Sequence, residues 1–258
     1  MNATEVKTAR FRFYAELNDF LPPERRMREF EYSFSGRQSV KHLIEAAGVP
    51  HTEVDLVLAN GEPVDFGYLV EGGDRISVYP VFEAFDIAGV TRVRPQPLRQ
   101  ARFVLDGHLG RLAAYLRMLG FDTVHERDST DDELARCASE QRRILLTRDR
   151  ELLKRSAVTH GYYVRQTQPR AQLVEVLRRF DLAGAVKPFV RCLRCNELLE
   201  EARKEEVWDH LPPRSREHYR EFWRCPGCGR VYWGGSHYRR MERLVEQALA
   251  AARDPATG

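Results

Sequence analysis

Four of the five cysteines in this 258-residue chain form two short pairs, and no other sequence feature constrains the fold as strongly. Each pair has the spacing Cys-X-X-Cys, and 29 residues separate the pairs. Two such turns direct four thiolates at one tetrahedral metal ion, for which zinc is the usual choice and iron the main competitor. The sequence therefore predicts a zinc ribbon with a structural, non-catalytic Zn²⁺. Its predicted ligands are Cys192, Cys195, Cys225 and Cys228.

The composition is that of a globular protein, with 43% hydrophobic residues and a net charge of +3. No apolar run approaches the roughly 20 residues that span a bilayer, and the N-terminus lacks the apolar stretch of a secretory signal. We therefore expect a cytoplasmic protein with no membrane partner, in which paired cysteines bind metal rather than form disulfides. The small positive charge permits nucleic-acid binding but does not require it.

Residues 1–86 have the pattern of a small mixed domain. Two strand-like runs precede a helix that Ser39 can cap, and two more strands follow it. This order resembles the β-grasp fold of ubiquitin and the small sulfur carriers. The carriers react through a free terminal Gly-Gly, whereas this chain continues past Asp86, so we expect a docking or substrate-positioning module with a candidate protein partner. The predicted strands are Phe11–Leu17, Phe30–Phe34, Val54–Leu58 and Arg75–Phe82.

From Phe103 onward, short apolar strands alternate with helices. Such alternation predicts a parallel sheet flanked by helices, and ligands of these sheets gather at the carboxyl ends of the strands. The predicted strands are Phe103–Leu105, Thr123–His125, Ile144–Leu146 and Tyr162–Val164. The predicted helices are Leu109–Leu119, Asp131–Gln141, Glu151–Arg155 and Pro169–Phe180.

Acidic residues follow the first three of these strands. Asp106, Asp128 and Asp149 come shortly after the strand ends, and Asp131 and Asp132 open the helix between the second and third strands. Carboxylates that converge on one sheet edge repel each other unless a cation lies among them, and Mg²⁺ or Mn²⁺ prefers oxygen ligands. Such an ion activates water for attack on a phosphodiester.

The same acids also have structural interpretations. Asp149 can cap the helix that follows it, and Thr130 with Glu133 matches a capping box. Nearby basic residues are candidates for binding substrate phosphates, although a solvated surface is the alternative for each. These residues are Arg111, Arg117, Arg148 and Lys154.

Three segments together resemble one family, the Mut-seven C-terminal RNase family. They are FVLDGHLGRLAAYLRMLGFD from Phe103 to Asp122, the tetrapeptide DDEL from Asp131, and LTRD from Leu146 to Asp149. The family is a PIN-like group often joined to a ubiquitin-like domain and carrying a zinc ribbon. The resemblance implies that the catalytic metal is bound by Asp106, Asp132 and Asp149, with Asp128 and Asp131 as substitutes.

The resemblance implies an α/β fold with a PIN-like parallel-sheet nuclease core, preceded by a β-grasp (α+β) domain and followed by a zinc ribbon with a C-terminal helix. It implies a metal-dependent endoribonuclease, a hydrolase of RNA phosphodiesters. We take tRNA and rRNA as candidate substrates, although no residue specifies either. The alternative is a non-catalytic RNA- or ribosome-binding factor that uses the zinc ribbon and basic surface. The predicted segments are the ubiquitin-like domain at 1–86, a linker at 87–101, the RNase core at 102–182, the ribbon at 183–235, and the helix and tail at 236–258.

Aromatic and basic residues surround the two cysteine pairs. They suit stacking on unpaired bases and binding of phosphates, but the aromatics could equally fill the small core that a ribbon needs. A final helix, with Ser236 as its expected cap, has an apolar face for packing. The residues around the cysteines are Arg191, Arg194, Trp223, Arg224, Arg230, Tyr232 and Trp233.

Overall fold

The computed structural model describes residues 6–80, 90–93 and 100–254. Most of the predicted linker at 87–101, and the end of the predicted strand Arg75–Phe82, lie outside the described residues. Among the helices described, none is both long and apolar enough to cross a membrane.

The N-terminal domain is a five-stranded mixed sheet whose apolar side packs against one helix. Its elements are β1 (Val6–Phe13), β2 (Phe30–Ser35), α1 (Val40–Ala46), β3 (Val54–Ala59), β4 (Glu62–Pro63) and β5 (Arg75–Pro80). The strand order is β2-β1-β5-β3-β4, and β1 and β5 are parallel while the other pairs are antiparallel. Ser39 caps α1 as predicted, because its side chain accepts a hydrogen bond from the His42 amide at 3.3 Å. The β-grasp fold predicted from the sequence is confirmed.

The central part of the chain alternates strands and helices, as its periodicity predicts. Its elements are β6 (Phe103–Leu105), α2 (Gly110–Met118), β7 (Thr123–His125), α3 (Asp131–Glu140), β8 (Ile144–Thr147), α4 (Arg150–Lys154), β9 (Gly161–Tyr163) and α5 (Pro169–Arg179). β6 pairs in parallel with β7 on one side and with β8 on the other, so that Phe103 lies opposite Thr123 and Ile144. All three residues of β6 are buried, which explains its continuous apolar sequence.

The C-terminal part contains an antiparallel sheet in the order β10-β11-β12 and a long final helix. Its elements are β10 (Glu200–Ala202), α6 (Lys204–Val207), α7 (Pro213–His218), β11 (Phe222–Arg224), β12 (Val231–Trp233) and α8 (Ser236–Arg253). The long gap between the cysteine pairs contains β10, α6 and α7, and within it Val207 of α6 and Leu211, which lies between the two helices, pack in one apolar cluster with Phe222. The expectation that Ser236 caps α8 is corrected: Ser236 is the first helical residue, and Gly235 precedes it without a side-chain cap.

By packing, the chain forms two compact units that differ from the predicted sequence-ordered domains. Unit 1 contains the N-terminal domain together with residues 138–141 and 147–163. Unit 2 contains residues 99–137, 142–146 and 164 to the C-terminus. Consequently α4 and β9 belong to the same unit as the β-grasp sheet.

Candidate active site and metal centre

Asp106 lies at the carboxyl end of β6, the strand between β7 and β8. Its amide donates to the Leu146 carbonyl at 3.1 Å, which joins the end of β6 to β8. Its carbonyl accepts the Leu109 amide at 2.9 Å and so begins a short 3-10 turn that leads into α2. The half-buried carboxylate does not cap this turn. Asp106 therefore places a carboxylate at the sheet edge where parallel sheets bind their ligands.

The loop after β7 packs directly against Gly107. A Cβ at this position would collide with the carbonyl of Arg127, so the close approach requires glycine. The Nε2 atom of the half-buried His125 lies 3.1 Å from the Gly107 carbonyl oxygen. These contacts bring the segment that carries the exposed Asp128 beside the residue that follows Asp106. The contact also gives His125 a structural role in holding the two loops together.

The first turn of α3 carries three consecutive acids. Glu133 and Thr130 form the capping box that the sequence suggested, with bonds of 2.8 Å from the Thr130 amide to Glu133 and 3.3 Å from the Glu133 amide to Thr130. The bond from the Thr130 backbone lowers the pKa of Glu133. The structural interpretation is thus correct for Glu133. Asp131 is half-buried and Asp132 is exposed.

Within unit 2, the carboxylates of Asp106, Asp128, Asp131 and Asp132 do not form a compact three-carboxylate cluster. No three acids of that unit, among its described residues, have carboxylate oxygens that all lie within 4.8 Å of one another. Asp149, the remaining acid of the predicted set, belongs to unit 1. The structure thus brings the Asp106 and Asp128 loops together in unit 2 and places Asp149 on an element of the other unit.

Asp149 caps α4. Its Oδ1 atom accepts the amides of Glu151 at 2.8 Å and Leu152 at 3.3 Å. Its own amide donates to the Thr147 hydroxyl at 2.9 Å. Both capping bonds end on Oδ1, so capping does not use the Oδ2 atom of this exposed carboxylate.

Arg150, the next residue, holds α4 against the N-terminal domain inside unit 1. Its guanidinium lies 5.0 Å from the ring centroid of Phe20 and 5.5 Å from that of Tyr163. The two aromatic rings meet edge to face with centroids 5.4 Å apart. The same guanidinium donates to the carbonyls of Asp19 and Phe20, both at 3.3 Å. No motif in the sequence signalled this contact.

Two buried polar residues of the N-terminal domain extend this contact. Glu53, with 1% of its surface exposed, accepts the Tyr163 amide at 2.6 Å. His51 places Nε2 at 2.9 Å from the Val158 carbonyl oxygen, while its Nδ1 lies 2.7 Å from Glu45. Two backbone groups of the segment from Thr147 to Tyr163, the Val158 carbonyl and the Tyr163 amide, are therefore bound by side chains more than a hundred residues earlier in the chain.

Three of the four predicted phosphate-binding residues remain at or near the surface. Arg111 and Arg148 are exposed, on α2 and directly after β8. Lys154 is half-buried and forms an ion pair with Glu151 at 2.8 Å. The ion pair uses one of the three ammonium donors of Lys154 and partly neutralises its charge.

Arg117 has a different role from the predicted one. It is 6% exposed, and its guanidinium donates to the carbonyls of Thr123 at 2.9 Å, Arg194 at 2.7 Å and Leu193 at 3.2 Å. Burial lowers its pKa. Because these carbonyls already occupy the guanidinium, Arg117 joins α2 to the first cysteine turn, and we remove it from the substrate-binding set.

The four cysteines of the ribbon form one cluster. Their sulfur atoms all lie within 4.8 Å of one another, with 3.5 Å between Cys192 and Cys228 and 3.3 Å between Cys195 and Cys225. Sulfurs bound to one tetrahedral zinc at about 2.3 Å would be about 3.8 Å apart. The cluster is therefore the right size for a single metal ion of this type.

Both cysteine turns have the same backbone construction. The Cys192 carbonyl accepts the Asn196 amide at 3.0 Å, and the Cys225 carbonyl accepts the Gly229 amide at 2.9 Å. Asn196 and Gly229 have left-handed φ values of 74° and 73°. Gly229 predicts the left-handed residue of the second turn, because glycine adopts positive φ readily. Asn196 predicts it less strongly in the first turn.

Tyr232 supports this cluster from β12. Its hydroxyl lies 3.2 Å from the Cys192 sulfur and accepts the Leu193 amide at 3.2 Å. Burial would raise the pKa of Cys192, but hydrogen bonds from Tyr232 and from the Cys195 and Arg194 amides lower it to about 6. Burial and neighbouring sulfurs instead raise the pKa of Cys225 to about 12. This difference is expected where adjacent thiols share one site, because the first negative charge opposes the next.

Two family models match the chain. The model described as the Mut7-C RNAse domain matches residues 101–245, and the model described as Mut7-C ubiquitin matches residues 6–86. Both matches confirm the resemblance drawn from the sequence motifs and from the strand order. No curated protein and no solved structure matches the chain.

Proposed function

We propose a ribonuclease function from one premise: the chain belongs to the Mut7-C RNAse domain family, whose model matches more than half of its length. In this proposal the protein is a metal-dependent endoribonuclease that hydrolyses RNA phosphodiesters, and tRNA and rRNA are its candidate substrates. The observation that carries the proposal is Asp106 at the carboxyl end of β6, between two parallel neighbours.

The proposed catalytic ligands are carboxylates that follow adjacent parallel strands. β6 and β8 are paired in parallel, so their carboxyl ends share one sheet edge. Asp106 directly follows β6, and Asp149 comes two residues after β8 ends at Thr147. Oxygen donors of this kind suit Mg²⁺ or Mn²⁺. We propose Asp106, Asp132 and Asp149 as the ligands, with Asp128 and Asp131 as alternatives.

The protein's own groups would divide the work of hydrolysis. A divalent ion at these acids supplies a water of lowered pKa and stabilises the charge that develops on the phosphate. The acids orient that site and form no covalent intermediate with the RNA. Exposed Arg111 and Arg148, with Lys154, would hold the RNA backbone in register.

We propose Zn²⁺ in the cysteine cluster and assign it a structural role. Four thiolates fill a tetrahedral coordination sphere, which leaves no position for substrate or water. We also propose that the ubiquitin-like domain binds a protein partner. A pull-down with the full-length protein tests this, because a partner should be recovered with it.

The decisive experiment compares cleavage by the wild type with that by Asp106→Asn and Asp149→Asn. Each variant removes a charged metal ligand, so the rate should fall by about two orders of magnitude or more. Cleavage of end-labelled RNA is followed with and without added Mn²⁺, and Asp209→Asn, an exposed acid of the ribbon segment, serves as the matched control. Unchanged cleavage in both variants would remove these acids from the mechanism.

A second candidate function is a non-catalytic RNA- or ribosome-binding factor. It is favoured by the local roles of two acids, since Asp149 caps α4 and Glu133 forms a capping box. Under this alternative the wild type binds RNA without cutting it at any Mn²⁺ concentration. Filter binding on the same samples separates the two functions.

A further inference from the structure

A cleft lies beside the cysteine cluster, within unit 2. It is bounded by α7, β12 and the first turns of α8, and its volume is about 690 Å³. This volume is within the roughly 300 to 1,000 Å³ of small-ligand sites. We call it the ribbon cleft. The lining residues that bear on its chemistry are Arg214, Tyr219, Arg230, Tyr232, Trp233 and Tyr238.

The ribbon cleft has a local excess of positive charge. Arg214 and Arg230 are both exposed at its lining, and no Asp or Glu is among the described residues that line it. The whole chain is nearly balanced, with 41 Lys and Arg against 38 Asp and Glu. A cationic lining without carboxylates therefore selects for an anionic ligand.

The aromatic rings of the cleft are held in place by contacts with neighbouring residues. Tyr232 is held by the Leu193 amide at 3.2 Å. Trp233 packs so tightly on the backbone of Gly235 that a Cβ there would come within 3.0 Å of the indole nitrogen. The ring of Tyr238 lies 4.5 Å from that of Phe189. Rings positioned before a ligand arrives lose little entropy when they bind it.

We propose that the ribbon cleft binds an unpaired nucleotide of single-stranded RNA, with its base stacked on the aromatic side chains and its flanking phosphates paired with Arg214 and Arg230. Flat rings beside guanidinium groups match the two chemical parts of a nucleotide, an aromatic base and an anionic backbone. Bases in a duplex are already stacked and paired, so a duplex of the same length should bind without using the cleft. The choice of RNA rests on the proposed ribonuclease function.

The test measures binding of fluorescein-labelled single-stranded RNA to the full-length protein carrying Asp106→Asn, without added Mg²⁺ or Mn²⁺. In the same background, Arg214→Gln with Arg230→Gln should weaken binding about tenfold in moderate salt. The slope of log affinity against log salt should become shallower by about 1.4, because each lost contact to a single strand removes about 0.7. Anisotropy titrations over a salt series give both quantities.

The matched control is Arg243→Gln with Arg253→Gln, which removes the same charge from exposed positions of α8 outside the cleft lining. Metal content per chain verifies that both double variants keep an intact ribbon. RNA containing 4-thiouridine should crosslink to the peptide that spans Arg230–Met241. Equal affinity and equal salt slope in the two double variants, or crosslinks confined to other peptides, would overturn the proposal.

The outcomes also separate this proposal from the ribonuclease function. If the wild type never cuts RNA but the cleft variant loses binding as stated, the ribonuclease proposal fails and the cleft stands as an RNA site. If the wild type cuts RNA and the cleft variant binds like the control, the cleft proposal fails alone.

Discussion

Asp122 joins the nuclease core to the ribbon. Arg143 donates to its two carboxylate oxygens at 2.8 and 3.1 Å, Asn196 donates at 2.7 Å and Arg102 at 3.0 Å. Burial alone would raise the pKa of Asp122, but the hydrogen bonds from Arg143 and Asn196 and the charge of Arg143 lower it to about 2. Asn196 belongs to the first cysteine turn, so one carboxylate stabilises both parts of unit 2.

We expect Asp122→Asn to lower the free energy of unfolding at neutral pH by about 2 kcal/mol, because charged hydrogen bonds are lost. The folded-state pKa lies below the ordinary 3.8, so this contribution is complete above about pH 4 and disappears as the pH falls towards 2. Urea unfolding of both proteins at pH 7 and pH 2.5 measures the difference. A difference of equal size at both pH values would contradict this assignment.

The sequence predicts the position of a residue better than its role. The four cysteines that cluster in the structure follow from their spacing, because Cys-X-X-Cys turns are local features. The acids after the strands follow from the strand pattern as candidates, and their part in a metal site stays a prediction. The role of Arg117 could not be predicted, because the Leu193 and Arg194 carbonyls that accept its hydrogen bonds come 76 and 77 residues later in the chain. Helical periodicity shows which face of α2 carries Arg117 but not what packs on that face.

At the scale of elements, most strands and the longer helices follow the sequence pattern. β6 and β7 have the predicted bounds, α3 and α5 differ by one residue at one end, and α2 is one residue shorter at each end. The prediction of a strand at Phe11–Leu17 is wrong, because β1 spans Val6–Phe13 and Ala15–Phe20 forms a 3-10 turn. The sequence missed α6 and α7, which contain four and six residues. Helices this short have little stability of their own, and α6 is held by Val207, which belongs to the apolar cluster of the ribbon.

Removal of the metal tests how the ribbon is stabilised. The apolar cluster of the ribbon has only four buried members, Ala202, Val207, Leu211 and Phe222. We therefore expect a chelator, or Cys225→Ser, to remove amide protection from β11 and β12 while β1–β5 keep theirs. Hydrogen exchange measured by mass spectrometry reports both regions in one sample. Cys137→Ser, outside the cluster, is the control, and continued protection of β11 without metal would refute the expectation.

The contact of α4 with the N-terminal domain provides a second test of an element. We expect Arg150→Ala to increase hydrogen exchange in Glu151–Lys154 about tenfold, because stacking on Phe20 and Tyr163 is lost. Arg28→Ala removes an exposed arginine of the same unit and should leave α4 unchanged. If the ribonuclease proposal holds, Arg150→Ala also slows cleavage, since Asp149 begins this helix. Equal exchange in both variants would mean that α4 does not depend on this contact.

At the scale of the whole molecule, the sequence predicted the kinds of domain and their order. It did not predict that residues 147–163 pack in one unit with the β-grasp sheet. The bonds that hold this segment join His51 to Val158 and Glu53 to Tyr163, which are 107 and 110 residues apart. Single polar residues at such distances leave no periodic pattern, so local rules cannot pair them. Residues 147–163, which lie inside the RNAse family match, therefore pack in the same unit as the ubiquitin-like domain.

Trimming the chain at residue 101, where the nuclease family match begins, would remove Glu53 and His51 from beneath Tyr163 and Val158. The truncated chain would keep α4 and β9 but lose the surface on which they pack, so the Tyr163 amide and the Val158 carbonyl would lose these side-chain partners. A different ubiquitin-like domain placed before residue 101 would have to supply new partners for these two backbone groups.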